Sequence, residues 1–177
     1  LLAVNPVPGH PRNQSSHHRE LAGILAIMKL LQMLREERDL TNGSFTFGLD
    51  NKEACLAVMS QDGPKVSKAD YDMILDICKR KDTIPITFDS KWIEGHQDDI
   101  NKDYSSMDIW TLLNIKMDIH AGECYQQHKE EECPNIAMAN ESLTVWIDEE
   151  KLSCFDKPML YDKVFARTGK AEKDKST

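Results

Sequence analysis

The chain has 177 residues, 40% hydrophobic and 29% charged, with a formal net charge of −8. That size and apolar share suit one domain with tails. The acidic balance argues against a protein that grips nucleic acid by bulk charge, but not against a local basic strip or a cation-filled acidic site.

Residues 5–14, "NPVPGHPRNQ", form a loop, because three prolines and a glycine forbid regular structure. Ser15 or Ser16 can cap the predicted helix that follows, about 17–38, whose apolar residues at 21, 24, 25, 28, 31 and 34 repeat with period 3.6. Asn42-Gly43 marks a turn. "SFTFGL" (44–49) predicts a strand with alternating phenylalanines that runs straight into Asp50. A short helix, about 51–60, follows. Another, about 67–81, carries Tyr71, Ile74, Leu75 and Cys78 on one face.

"TIPITFDSKWI" (83–93) predicts a second strand, placed at an edge by Pro85, which lacks an amide hydrogen. "DDINKDYSSMD" reads as a polar loop and about 106–130 as a helix. "SLTVWIDEEKLSCF" (142–155) suits a hairpin turning at "DEE", and the charged end, 165–177, predicts disorder. The order of elements is α/β.

Cys55, Cys78, Cys124, Cys133 and Cys154 are odd in number and irregularly spaced, which predicts reduced, mostly buried thiols in an intracellular protein, nuclear or cytoplasmic. No run approaches the roughly 18 apolar residues of a membrane helix. "LLAV" is too short for a signal-peptide core. A start inside an apolar run predicts that the N-terminal part of a longer protein precedes it.

Three carboxylates stand out by placement. Glu20 falls in the first turn of its predicted helix, Asp50 ends a strand where α/β sheets bind ligands, and Asp118 borders an apolar helix stripe, four residues after Asn114. A carboxylate beside a buried face is costly without a partner. A divalent cation such as magnesium, which takes oxygen ligands, is one such partner. Each residue also has a plainer reading: a helix-dipole partner for Glu20, a helix cap for Asp50 and a solvated side chain for Asp118.

"SSHHRELAGILAIMKLL", "FTFGLDNKEACLAV", "WIEGHQDD" and "LLNIKMDIHA" resemble, in order, the motifs of type 1 ribonuclease H domains. The closest variety is the one attached to reverse transcriptases of eukaryotic retroelements. The resemblance covers roughly residues 1–130, leaving 131–164 as a C-terminal extension. It implies a ribonuclease H-like mixed sheet flanked by helices. It also implies hydrolysis of the RNA strand of RNA–DNA hybrids, two Mg2+ ions, and an upstream reverse transcriptase segment as partner. By resemblance Glu20, Asp50 and Asp118 are the metal-binding catalytic carboxylates and His96 the loop histidine that helps protons or product leave. Asp98 and Asp99 are second candidates for cation contact. Asn51, Lys52 and Lys91 are candidates for nucleic-acid contact.

Two magnesium ions can activate water and stabilise the leaving oxygen in one in-line displacement at a phosphodiester. Carboxylates suit such ions better than nitrogen or sulfur donors. The 2′-hydroxyl tells RNA from DNA.

The chain departs from the family pattern. The family's fourth carboxylate stands on its first strand, but no aspartate precedes Asp39 here, and "LLAV" matches only the third strand. The expectation is therefore a domain lacking its first two strands, either a fragment of a longer protein or a decayed copy, and inactive as it stands. The pattern's arginine falls on His18, with Arg19 one place later, and Glu94 replaces a usually basic residue.

Two other functions compete. One is a catalytically dead nucleic-acid-binding or interaction scaffold using Lys52, Lys79, Arg80, Lys81 and Lys91. The other is a small zinc module built from His120, Cys124, His128 and Cys133, although the first three also recur every four residues along a helix face.

Overall fold

The Ser15 hydroxyl accepts the His18 amide hydrogen at 3.1 Å and starts the first helix, α1, Ser16–Arg38. The structure, a computed structural model, describes residues 7, 15–60, 63–65, 68–128, 146–147 and 150–151. Helix α1 buries Leu21, Ile24, Leu25, Met28 and Leu31, while Leu34, predicted to share the stripe, remains 38% exposed. Asp39 ends the helix in the left-handed region at φ 49°, its amide bonded to the Arg35 carbonyl.

Strand β1, Ser44–Leu49, pairs in parallel with β2, Thr87–Trp92, Ser44 opposite Thr87 and Leu49 opposite Trp92. A parallel pair needs a crossover, and α2, Lys52–Met59, and α3, Tyr71–Thr83, lie in it. Phe47 and Leu49 form the core with α1, Val58 of α2, and Ile74 and Ile77 of α3. Full burial of side chains such as Leu21, Ile24 and Ile77 contributes about 1.5–3 kcal/mol each. The described chain is thus α/β, a small two-stranded parallel sheet flanked by helices.

Helix α3 begins four residues later than expected, because Asp70 sits in the left-handed region at φ 58°. The His18 imidazole nitrogen lies 2.6 Å from the Asp70 carboxylate and holds that residue against α1. Strand β2 also begins late. Ile84 closes α3, the Ile86 amide turns back to the Ile84 carbonyl at 2.8 Å, and Pro85 lies in that bend rather than in the strand.

Short helix α4, Gln97–Ile100, and a turn of 3-10 helix, Tyr104–Ser106, occupy the expected polar loop. Asp98 and Asp99 in the first turn of α4 favour helix there. Helix α5, Ile109–His128, follows. Strands β3, Trp146–Ile147, and β4, Glu150–Lys151, pair antiparallel, as expected of a hairpin turning near "DEE". The expected N-terminal loop apart from Val7, most of the 131–164 extension and the 165–177 tail lie outside the described residues. Among the described residues no helix is long and apolar enough to cross a membrane.

Candidate functional site

Parallel pairing brings the C-terminal ends of β1 and β2 to one side. Asp50 follows the first, and residues 93–96 follow the second. The Ile93 amide donates to the Leu49 carbonyl at 2.8 Å, and the Trp92 indole N–H donates to the Asp50 carbonyl at 3.0 Å. Gly95 lies against the Asp50 side chain, so that a Cβ there would stand 3.2 Å from Oδ2. The Asp50 carboxylate is not the cap of α2. Asn51 has that role, its side-chain oxygen accepting the Ala54 amide at 3.0 Å.

Glu20 lies in the second turn of α1, because Ser15 caps the helix and the first turn holds no acidic residue. That removes the helix-dipole reading. Its half-buried side chain feels the carboxylate of Asp50. Burial, then the charge of Asp50, then the charge of Asp118, push the Glu20 carboxyl up to about 7.

Asp118 comes from α5, which Trp110 seats on β1. A Cβ on Gly48 would meet the Trp110 ring at 2.9 and 3.2 Å, so this face of the strand is open only for want of a side chain. Asp118 is solvent-exposed, yet partial desolvation and the Asp50 charge raise its pKa. His96 opposes that shift and Asp98 reinforces it. Glu20, Asp50 and Asp118 thus act on one another from a helix, a strand end and a second helix.

His96 is exposed, at φ 56°, and its carbonyl accepts the Asp99 amide at 3.1 Å. Asp99 is exposed and Asp98 half-buried. Of the predicted nucleic-acid contacts, Lys52 is exposed, Asn51 is engaged in its cap, and the Lys91 ammonium sits 5.4 Å from the Trp110 ring centroid. The wider basic set is not one surface strip. Arg80 bonds Asp76 at 3.2 Å and Gln32 at 2.5 Å, and Lys81 donates to the Val58 carbonyl at 2.8 Å.

The all-carboxylate donors match a hard cation chemically. Geometrically, among the described residues no three His, Cys, Asp or Glu side chains converge closely enough to hold a metal ion. Of the zinc candidates, His120, Cys124 and His128 all lie along α5 and Cys133 lies outside the described residues. His120 pairs with Glu123 at 3.1 Å, and His128 Nδ1 lies 2.9 Å from the Cys124 carbonyl oxygen. Local helix geometry therefore accounts for this spacing.

The sequence motifs assign no role to the supports of Asp50. The one available signal is glycine inside or just beyond an apolar strand, a mark of close approach. Nor do they mark out the Cys55 thiol, which burial, above all, raises despite a hydrogen bond with Ser90. Comparison with family models, curated proteins and solved structures finds no match to this chain.

Proposed function

We propose that the chain is part of a ribonuclease H-like domain of retroelement reverse transcriptase type, acting on RNA–DNA hybrids with magnesium. The observation that supports this most is the mutual influence of Glu20, Asp50 and Asp118, far apart in sequence, with the exposed His96 also acting on Asp118. Magnesium, when bound, would polarise the scissile phosphate and activate water. Because the described carboxylates do not form a three-residue cage, a further carboxylate is needed to complete it.

In this reading Asp50 presents oxygen ligands at the strand end. Glu20 holds a proton against it and must release that proton before both groups act as anions. His96 accepts or passes protons at the rim of the cluster. Lys52 contacts the phosphate backbone, and the partner is a reverse transcriptase segment upstream. The engaged side chains of Arg80 and Lys81 instead favour the scaffold reading only as a weak, local binder of nucleic acid.

The test is gel cleavage of an end-labelled RNA–DNA hybrid with magnesium. Three proteins are compared: the 177-residue chain, the chain joined to an aspartate-bearing pair of N-terminal ribonuclease H strands, and the joined Asp50→Asn variant. Cutting of the RNA strand is expected from the joined protein alone. Robust cutting by the short chain would show that no further carboxylate is needed. A folded joined protein that binds hybrid but stays inert sinks the nuclease reading and leaves the scaffold.

A further inference from the structure

We propose that Gly95 and Trp92 are positioning residues that hold the Asp50 carboxylate in one orientation; the functional part of this inference rests on the reading of Asp50 as a site carboxylate. The two act on different parts of the same residue. Trp92 fixes the backbone, its indole N–H donating to the Asp50 carbonyl at 3.0 Å. Gly95 bounds the side chain, with the position of an absent Cβ lying 3.2 Å from Oδ2, 3.5 Å from Cβ and 3.8 Å from Cγ of Asp50.

Neither backbone strain nor core packing accounts for these two residues. Gly95 is not among the glycines with positive φ, so backbone conformation does not demand glycine there. What favours it is proximity, since an added Cβ would make Oδ2 of Asp50 give way by a few tenths of an ångström. Trp92 is 50% exposed, so burial in the core does not demand tryptophan. It stands opposite Leu49, one residue before Asp50, and the Ile93 amide bond to the Leu49 carbonyl locks the same step of the ladder. A methyl group at 95 would press on the movable end of Asp50 rather than on main chain. The expected response is therefore a turn of the Asp50 side chain about χ1, with the surrounding fold kept.

The experiment uses the full 177-residue chain, isotopically labelled. Asp50 χ1 is read from three-bond side-chain couplings in the native protein, Gly95→Ala, Trp92→Phe and the control Gly122→Ala. The control adds a Cβ with nothing within 4 Å. A single Asp50 rotamer is expected in the native protein and the control. A changed or averaged rotamer is expected in the other two, with unchanged far-ultraviolet circular dichroism. In Trp92→Phe an aromatic ring is retained and the N–H is lost, which separates the hydrogen bond from apolar packing.

The joined protein supplies a second readout. Gly95→Ala should lower kcat about 10- to 100-fold with KM little changed, as expected of a misplaced reacting group. Native Asp50 couplings in both variants overturn the positioning role whatever the activity. A changed rotamer with native kcat overturns its functional half. An inert native joined protein instead removes the nuclease reading, while the couplings still decide whether Gly95 and Trp92 orient Asp50.

Discussion

The Glu20 carboxyl, from the second turn of α1, is half-buried and feels the charge of Asp50 beyond the end of β1. Burial disfavours the charged form of Glu20, and the neighbouring charge of Asp50 adds to that preference. Glu20 accordingly stands at about 7, against 4.5 when unperturbed.

That shift sets the sign of a pH dependence. Between pH 4.5 and 7 the folded chain binds the Glu20 proton more tightly than the unfolded chain does. The resulting stabilisation is complete below the unfolded pKa and is lost as pH rises through about 7. Its size is on the order of 3 kcal/mol. In Glu20→Gln this component should vanish, leaving a flatter profile and a variant relatively more stable at pH 8. Urea melts at pH 5, 6, 7 and 8 check this. A slope equal to that of the native chain would show that Glu20 does not carry the proton.

Under the proposed function, magnesium would have to compete with the same proton. Binding at the cluster should release protons and strengthen from pH 6 to pH 8, while stabilising the isolated chain only weakly. Calorimetric titration in two buffers of different ionisation enthalpy measures the release. Binding that is tight and indifferent to pH would place magnesium away from Glu20.

Gly48→Ala should loosen the seat of α5. The added methyl would run into Ile93 Cδ1 and the Trp110 ring. Overpacking of this kind costs about 1–3 kcal/mol. The double variant Gly48→Ala/Ile93→Val should recover part of the loss by shortening the obstructing side chain. Thermal melts of both variants test the contact, and full additivity of the two changes would deny it.

Lys151 on β4 pairs with Asp72 on α3 at 2.5 Å, both side chains buried. Lys151→Met removes the ammonium from a buried carboxylate and should destabilise the chain by about 3–5 kcal/mol. Adding Asp72→Leu should restore much of that stability, since an apolar pair then replaces the buried charge. A single variant within about 0.5 kcal/mol of native would remove this pair as the anchor between hairpin and α3.

Gly23 and Gly122 lie in helices, and a methyl group added at either would meet nothing within 4 Å. Alanine at either should stabilise the chain by about 0.5–1 kcal/mol, because it reduces the freedom of the unfolded backbone. Denaturant midpoints check this, and a loss at either site would point to a contact made there.

Local pattern alone determined much of the framework. Alternating phenylalanines placed β1, the 3.6-residue stripe placed α1, and Ser15 proved to be its cap. These signals are legible because they arise among residues a few positions apart. The boundaries of α3 and β2 were not legible. They depend on Asp70 held in the left-handed region beside His18 and on the bend at Pro85, the first a contact across 52 residues. Sequence order likewise nominated Glu20, Asp50 and Asp118, but could not tell a solvated carboxylate from one that keeps its proton. Only the tertiary structure decided that, since desolvation and the field of a neighbouring charge depend on distance in space. The same holds for Gly95 and Trp92: their relation to Asp50 exists only once two strands, 42 residues apart at the Trp92 hydrogen bond, lie side by side.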